Sequence, residues 1–464
     1  MTEKSVDSAT QTTTPRVELG HILRLGLPLA GANLAEFGMV MTDMAVVGRL
    51  GVVELAAVGL AGGIMFDLLA ILMGVLTVVG VLVAEAFGAG DSRRIGAIAG
   101  QGLRIALVLS VPLVAVSFLL PLLLSWTGQE DAVIALGRTY LTAVFWSFPA
   151  AMAYAVLVDV VTALHRPRVV FLVSVGAVML NGFLSAGLVF GLVGLPRLGV
   201  AGAGYATSIV SAAMLACLAI YALRAPGLKE HLTWRALASG DRQARRDILR
   251  IGLPVAGMTV AESGMFTVIA ILMGGFGAAV LAASKIVQGY ATMAGMFAFA
   301  LADAATIRVA LAVGRRDGRQ VRRAGNLALA AGAVVVLAFA TAALAAPELI
   351  ASIFLGAPDE ADREALPWIA SLFAIGALYL VAYGLQIISE HALRGLKDTL
   401  MPMWLMLAGL WLVGLGGGVA LAYGLGLGPT GLWWGMAAGV GLTAFLFIVR
   451  FQRLAAAFTS DSRR

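Results

Sequence analysis

Long apolar runs, broken only by short polar segments, recur along the whole chain and limit its possible folds. Hydrophobic residues make up 60% of the 464 residues and charged residues only 12%, against about 25% charged in a typical soluble domain. A water-soluble core has no room for so much apolar sequence, so lipid must surround most of it. The strands of a membrane barrel are only about 10 residues long and alternate in polarity. We therefore predict an all-α integral membrane protein.

Twelve apolar runs predict twelve transmembrane helices. They lie near residues 22–47, 55–86, 97–124, 133–161, 169–192 and 200–223, and near 248–274, 281–312, 324–346, 365–391, 401–425 and 430–452. The remaining sequence predicts a polar N-terminus over 1–20, a linker over 224–247 and a tail over 456–464. These segments delimit two six-helix lobes, 21–223 and 248–455.

Lysine and arginine are distributed unevenly between the predicted loops. One set of loops carries pairs such as Arg93 and Arg94, whereas the opposite set carries carboxylates such as Glu130 and Asp131. Basic loops stay on the cytoplasmic side of a membrane. We therefore expect an inner-membrane protein with both termini in the cytoplasm. The net charge of +6 comes with these loops, and we expect no nucleic acid as a partner, only membrane lipid and small organic cations.

The two halves of the chain are copies of each other. Residues 22–57 and 248–283 are identical at 17 of 36 positions without a gap, at an offset of 226 residues. Pro28 and Glu36 in the first copy match Pro254 and Glu262 in the second. Six spans separate the copies, so both halves insert with the same topology. Repeats of this kind are typical of transporters that bind substrate between the halves and rock one half against the other.

Acidic residues within the predicted spans are the candidate functional groups, because charge inside a membrane is costly. Glu36 and Asp43 lie seven residues apart on one face of the first span, and Glu262 lies in the seventh. A buried carboxylate without a fixed partner tends to bind a proton. In an aqueous cavity it can instead hold Na⁺ or an organic cation. We therefore expect a cation as cargo or coupling ion.

Other polar residues in the spans have plainer explanations beside the functional one. Asp67 and Asp303 are secondary candidates that could simply hydrogen-bond a neighbouring helix, and the same holds for Asn181 with Ser185 one turn later. For Asp159 and Glu390 we predict ion pairs at helix ends, with Arg166 and Arg394. We also predict that Trp433 and Trp434 anchor the membrane interface and that Cys217 is a small buried residue.

The chain lacks sequence motifs of soluble enzymes. It contains no GxxxxGK[ST] phosphate loop, no HExxH and no His/Cys cluster with metal-ligand spacing. We therefore expect neither enzymatic activity nor a cofactor.

Several segments together resemble the multidrug and toxic compound extrusion (MATE) family. The features are Pro28 followed fifteen residues later by Asp43 and VVGRLG, then GAGD, then FGLVGLPRLGVAGAGYAT ending at Thr207, and ALRGLKD. Their order covers roughly residues 20 to 455. The resemblance implies a V-shaped fold of twelve helices and export of cationic or amphipathic organic compounds in exchange for H⁺ or Na⁺. It does not imply an oligomer, and we expect a monomer.

The resemblance also implies site residues. Asp43, Asn181, Ser185 and Thr207 would form a cation site in the first lobe, with Na⁺ possible at Asp43 and Asn181. Glu262 and Tyr383 would form one in the second lobe. Here Ser185 stands where some members carry an acid, and Tyr383 replaces an aspartate, whereas Glu36 replaces a common glutamine. These departures favour H⁺ over Na⁺ as the coupling ion.

Two other functions remain to be weighed. A lipid-linked oligosaccharide flippase of the same wider superfamily would need cationic cavity residues to hold pyrophosphate, whereas the candidates here are acidic. An intramembrane enzyme would need a paired nucleophile and base or a metal site within the spans, and the sequence offers neither.

Overall fold

The structure is a computed structural model that describes residues 15–355 and 360–461. Residues 1–14 and 462–464, parts of the predicted polar terminus and tail, lie outside the described residues. The described residues form helices and no strands. The predicted all-α fold is therefore confirmed.

Eight helices build the first lobe, and a short one follows in the linker. They are α1 (Pro15–Gly48), α2 (Val52–Leu76), α3 (Val78–Gly88), α4 (Ser92–Ser125), α5 (Asp131–Val144), α6 (Ser147–Ala163), α7 (Pro167–Phe190), α8 (Val200–Arg224) and the linker helix α9 (Trp234–Leu237). The pair α2 and α3 forms a single span, and α5 with α6 forms another, bent by 49° between the two helices.

The second lobe repeats this arrangement. Its elements are α10 (Arg242–Gly274), α11 (Ala278–Gly314), α12 (Gly318–Ala345), α13 (Pro347–Leu355), α14 (Glu360–Gly395), α15 (Leu400–Leu407), α16 (Gly417–Val419) and α17 (Pro429–Asp461). Two π-helical stretches, Ala408–Gly416 and Ala420–Gly424, join α15 and α16 into one long span that ends at Gly424.

Twelve long helical segments agree with the twelve predicted spans. Ten spans of the described chain are long and apolar enough to cross a membrane, and the bent pair of α5 and α6 makes an eleventh. The twelfth is α1, which is 34 residues long. Its hydropathy is lowered by Asn33, Glu36 and Asp43, so the least apolar span is the one that carries the candidate site.

Equivalent helices pack in the same way in both lobes. In the first lobe α7 packs on α8, α6 on α8 and α4 on α6; in the second lobe the span Leu400–Gly424 packs on α17, α14 on α17 and α12 on α14. The lobes meet through α1 with α11 and α10 with α2, which the repeat relates to each other, and through α3 with α11. The predicted pair of pseudo-symmetric lobes is therefore confirmed.

Glycines at repeat-related positions allow the lobes to approach closely. A Cβ atom at Gly252 would overlap the carbonyl oxygen of Val75, and one at Gly314 would overlap that of Glu85. Gly88, the counterpart of Gly314, faces the carbonyl oxygen of Leu311 in the same way. These contacts lie near the loops at 89–91, 164–166, 225–241, 315–317 and 396–399, which we call the arginine-rich end.

Two predictions about single residues are wrong. Trp433 is buried inside the second lobe, where its indole nitrogen donates to Ser284 Oγ at 3.2 Å. The core accommodates this large ring because the Ser284 hydroxyl satisfies its N–H group. Cys217 is exposed on the surface of the helix bundle, because its face of α8 points outward.

Candidate functional site

Three helices bring the predicted first-lobe residues together around Asp43. The hydroxyl of Thr207 on α8 donates to Asp43 Oδ2 at 3.0 Å, and the amide of Asn181 on α7 donates to the same oxygen at 3.5 Å. Asn181 and Ser185 are fully buried, one turn apart on α7. The carboxylate lies five residues before the end of α1, far along that helix from the arginine-rich end.

Several oxygen atoms of this cluster have no hydrogen-bond partner. Asp43 Oδ1, Asn181 Oδ1 and Ser185 Oγ are all buried without one, although the Ser185 hydroxyl lies close to the Asp43 carboxylate. Buried polar atoms are normally satisfied, so each unpaired one calls for an explanation. A carboxylate oxygen with neutral oxygens around it suits a hard cation such as Na⁺, and a protonated carboxyl would satisfy Asp43 Oδ1 just as well. The cluster therefore fits either coupling ion.

The described residues do not form a site for a multivalent metal ion. Within the part of the chain that the structure describes, no three His, Cys, Asp or Glu side chains are grouped to hold a metal ion. The negative charge of the Asp43 cluster is that of one carboxylate. It matches a single positive charge on its ligand.

Glu36 has its own partners on neighbouring helices. Its Oε1 accepts a hydrogen bond from Ser174 Oγ on α7 at 3.2 Å, and Ser174 Oγ lies 3.4 Å from the hydroxyl of Tyr154 on α6. Ser174 and Tyr154 are buried. Glu36 and Asp43 thus occupy two successive polar positions between α1 and α7, both inside the first lobe.

Glu262 lies in the second lobe, against the aromatic side chains of α14. The hydroxyl of Tyr383 lies within hydrogen-bonding reach of its carboxylate, and Tyr379 stacks on Tyr383 with ring centroids 5.6 Å apart. Glu262 Oε1 is buried without a hydrogen-bond partner. The structure thus brings Glu262 and Tyr383 together but keeps them apart from Asp43, which belongs to the other lobe.

The secondary candidates differ in their surroundings. Asp67 is exposed on α2. Asp303 Oδ1 on α11 lies 3.4 Å from His391 Nε2 on α14, so it bridges two helices of the second lobe. The predicted pair of Glu390 and Arg394 is present at 2.5 Å.

The predicted ion pair between Asp159 and Arg166 is wrong. The Arg166 guanidinium donates instead to Tyr221 Oη and to the carbonyl oxygen of Pro226, both at 3.2 Å. Asp159 lies against Gly80 of α3 and within electrostatic reach of Arg394 in the second lobe. Its position on α6 directs it towards the lobe interface and away from the loop that carries Arg166.

Three site neighbours were missed by the sequence reasoning. Tyr140 lies within electrostatic reach of Asp43, and Ser174 and Tyr154 contact Glu36 as described above. A tyrosine in an apolar run is common in membrane helices, so nothing in the sequence marks Tyr140 or Tyr154 as a site residue. The spacing of Ser174 and Asn181, seven residues apart on α7, repeats that of Glu36 and Asp43 on α1 and was the available signal.

Comparison with protein families gives a match over both halves. The family described as MatE matches residues 28–187 and 254–419, and the starting positions of the two matches differ by the 226 residues of the internal repeat. The chain is similar to the "Probable multidrug resistance protein NorM" of Synechococcus sp., with 34% identity over 441 residues and 95% of each chain covered. The protein of that name from Bradyrhizobium diazoefficiens is 35% identical and covers 94% of each chain.

Solved structures share the fold. The eukaryotic MATE transporter AtDTX14 superposes with a TM-score of 0.84 at 19% identity, over 96% of this chain and 99% of that one. A Vibrio cholerae MATE transporter, VcmN in the bent form, gives a TM-score of 0.86 at 17% identity, over 96% and 98%. The match extends over nearly the full length of both, so the two-lobed architecture is common to all three.

Proposed function

Because the chain belongs to the MATE family, we propose that it is a secondary active multidrug efflux antiporter. It exports cationic or amphipathic organic compounds in exchange for H⁺ or Na⁺. The names of its relatives, multidrug resistance proteins, support this assignment. Such a transporter moves its substrate without changing it chemically, so its work requires no catalytic group and no cofactor.

The observation that carries the proposal is the Asp43 cluster. One carboxylate is held by Thr207 and Asn181 through a single oxygen, and the other oxygen, Oδ1, is left buried and unpaired. An unpaired carboxylate oxygen in an apolar bundle attracts one cation at a time. Proton or Na⁺ binding there therefore competes with binding of a cationic substrate, which is the requirement for exchange.

The second lobe supports H⁺ as the coupling ion. Its polar position pairs the carboxylate of Glu262 with the phenol of Tyr383, so it offers one negative charge and a hydroxyl that is itself a proton donor. Glu36, hydrogen-bonded to Ser174, adds a second protonatable group to the first lobe. Both features are suited to proton transfer and supply few oxygen ligands for Na⁺.

Contacts between the lobes support alternating access. The close approaches at Gly88, Gly252 and Gly314 and the ion pair between Glu85 and Lys397 at 2.7 Å lie towards the arginine-rich end. By the positive-inside rule this end faces the cytoplasm. We assign the conformation as closed to the cytoplasm, so the Asp43 cluster would exchange ions with the outer side before the lobes rock.

The flippase alternative finds less support. A lipid-linked pyrophosphate would need cations near the membrane centre, whereas the candidate residues within the spans are Asp43 and Glu36 in the first lobe and Glu262 in the second. An organic cation is the better electrostatic match for these carboxylates.

Efflux of a fluorescent organic cation from proteoliposomes tests the proposal, with a pH gradient and a Na⁺ gradient imposed in turn. We expect efflux driven by the pH gradient and at least about a tenfold lower rate in Asp43→Asn, since the variant removes the charge but keeps the shape. A tenfold change corresponds to about 1.4 kcal/mol of lost stabilisation.

Asp67→Asn is the matched control, because Asp67 is an exposed intramembrane aspartate outside the cluster, and its efflux should equal that of the wild type. Efflux driven by Na⁺ alone would refute proton coupling. Absence of efflux under both gradients, in protein that inserts normally, would refute the antiporter and favour the flippase.

A further inference from the structure

A cavity of about 560 Å³ opens at the arginine-rich end, away from the Asp43 cluster. Three elements of the first lobe line it: the start of α1, the loop before α7 and the end of α8. The fourth element is α11 of the second lobe. The cavity is therefore formed only where the two lobes meet.

Four arginines line this cavity, and none of its ten lining residues is acidic. They are Arg24, Arg166, Arg168 and Arg308. Arg308 is buried and held by Glu18 in a bidentate pair at 2.7 and 2.6 Å, so its charge is compensated. Arg166 is fixed in position by Tyr221 and Pro226, both neutral partners.

Arg24 and Arg168 are the two cations left without counter-charge. Both are exposed, and neither makes an ion pair or a side-chain hydrogen bond to any of the residues that the structure describes. Like charges gathered in this way repel each other, and the arrangement is stabilised when an anion binds between them. With Arg166, they present three guanidinium groups to one space.

Two histidines, His21 and His165, also line the cavity. Burial, together with the nearby Arg308 and Arg315 guanidinium groups, lowers the pKa of His165 to about 4. His165 is therefore neutral at physiological pH and adds no charge to the cavity. His21 Nδ1 faces the same region, buried and without a hydrogen-bond partner.

We propose that this cavity, lined by Arg24, Arg166 and Arg168, binds a phosphate group. Guanidinium groups bind phosphate oxygens in bidentate geometry, and basic pockets between helices on the cytoplasmic side of membrane proteins are suited to anionic lipid headgroups. The phosphate can come from such a headgroup or from a soluble phosphate ester.

The test measures thermal unfolding of the purified full-length protein in neutral detergent. Phosphatidylglycerol, phosphatidylcholine and inorganic phosphate are titrated separately. We expect phosphatidylglycerol to raise the unfolding temperature and phosphatidylcholine not to. In the double variant Arg24→Gln with Arg168→Gln, the concentration of phosphatidylglycerol needed for half of the effect should rise by about tenfold.

The matched control is Arg245→Gln with Arg246→Gln. It removes the same charge from exposed residues at the same end that do not line this cavity, and it should leave the titration unchanged. Should the first double variant fail to fold, Arg24→Lys with Arg168→Lys keeps the charge, loses the bidentate geometry and should give a smaller shift.

Two outcomes support the site and distinguish its ligand. Protection by phosphatidylglycerol alone assigns it to a lipid headgroup, whereas equal protection by inorganic phosphate, lost in the same variant, assigns it to a soluble phosphate. If the Arg245→Gln, Arg246→Gln control weakened protection by phosphatidylglycerol as much, the effect would come from general surface charge and the proposal would be overturned. An unfolding temperature that responds to neither anion would also overturn it. These readouts do not depend on transport and stand apart from the antiporter assignment.

Discussion

Single carboxylates in the membrane acquire their roles from the partners that the fold gives them. Asp43 and Asp303 are both aspartates within apolar runs. In the structure Asp43 keeps one oxygen unpaired inside the first lobe, whereas Asp303 lies against His391 on the neighbouring helix of the second lobe. The first arrangement leaves capacity for a ligand, and the second ties two helices together.

His165 is a residue whose surroundings predict a dependence of stability on pH. Its pKa is about 4 in the folded protein, below the value of about 6.5 in an unfolded chain. The unfolded state therefore binds more protons between these values, and stability is lost as the pH falls from about 6.5 towards 4.

His165→Asn should reduce this acid sensitivity. Asparagine tolerates the positive φ of 62° at this position and carries no titratable group. We expect a smaller drop in unfolding temperature between about pH 7 and pH 5 than in the wild type. His231→Asn, in the linker, is the comparison, and an unchanged pH profile in His165→Asn would contradict the prediction.

At the scale of elements, the loops after α3 and α11 show how the repeat builds equivalent turns. Asp91 and Asp317 cap the helices that follow, accepting from the backbone N–H groups of Arg94 and Gln320 at 3.0 Å. The residue before each aspartate has a positive φ, 74° at Gly90 and 56° at Arg316. The second copy thus has arginine, with a full side chain, at the position where the first copy has glycine.

Arg316→Gly should stabilise the protein by up to about 1 kcal/mol, because a residue with a Cβ is disfavoured at positive φ. The measurement is thermal unfolding in detergent. Arg315→Gly removes the same charge at the neighbouring residue, whose φ of −78° is helical, and should destabilise or leave the temperature unchanged. Equal shifts in both variants would mean that charge, not backbone conformation, is responsible.

Helix ends are the part of the elements that apolar runs could not predict. The third span was predicted from residue 97, but α4 begins at Ser92, and the seventh was predicted from 248, but α10 begins at Arg242. The first turns of these helices are polar and project beyond the lipid. Their starts depend on capping by Asp91 and Asp241, which hydropathy does not register.

At the scale of the whole molecule, a buried ion pair joins the lobes. Glu18 on α1 is fully buried and Arg308 on α11 is 4% exposed. Their two hydrogen bonds, at 2.7 and 2.6 Å, connect residues 290 positions apart in sequence. No sequence pattern relates them, because the first lies before the first apolar run and the second near the end of the eighth.

Glu18→Gln should destabilise the protein by about 3–5 kcal/mol, because it leaves Arg308 buried without its counter-charge. Unfolding temperature in detergent measures the effect. Glu85→Gln breaks the more exposed pair with Lys397 across the same interface and should cost only about 0–1 kcal/mol. If both variants unfolded at the same temperature, burial would not be what gives the Glu18 pair its strength.

The sequence by itself determined the membrane environment, the two six-helix lobes and the carboxylates Glu36, Asp43 and Glu262 as candidate functional groups. The length of the apolar runs indicates the membrane, and the repeat at an offset of 226 residues indicates the two lobes. The carboxylates stand out because a charge inside a membrane is costly. Tertiary structure alone decided which side chains meet. Ser174 beside Glu36, Arg308 beside Glu18 and the basic cavity all depend on helix rotation and on contact between the lobes, which local hydropathy does not encode.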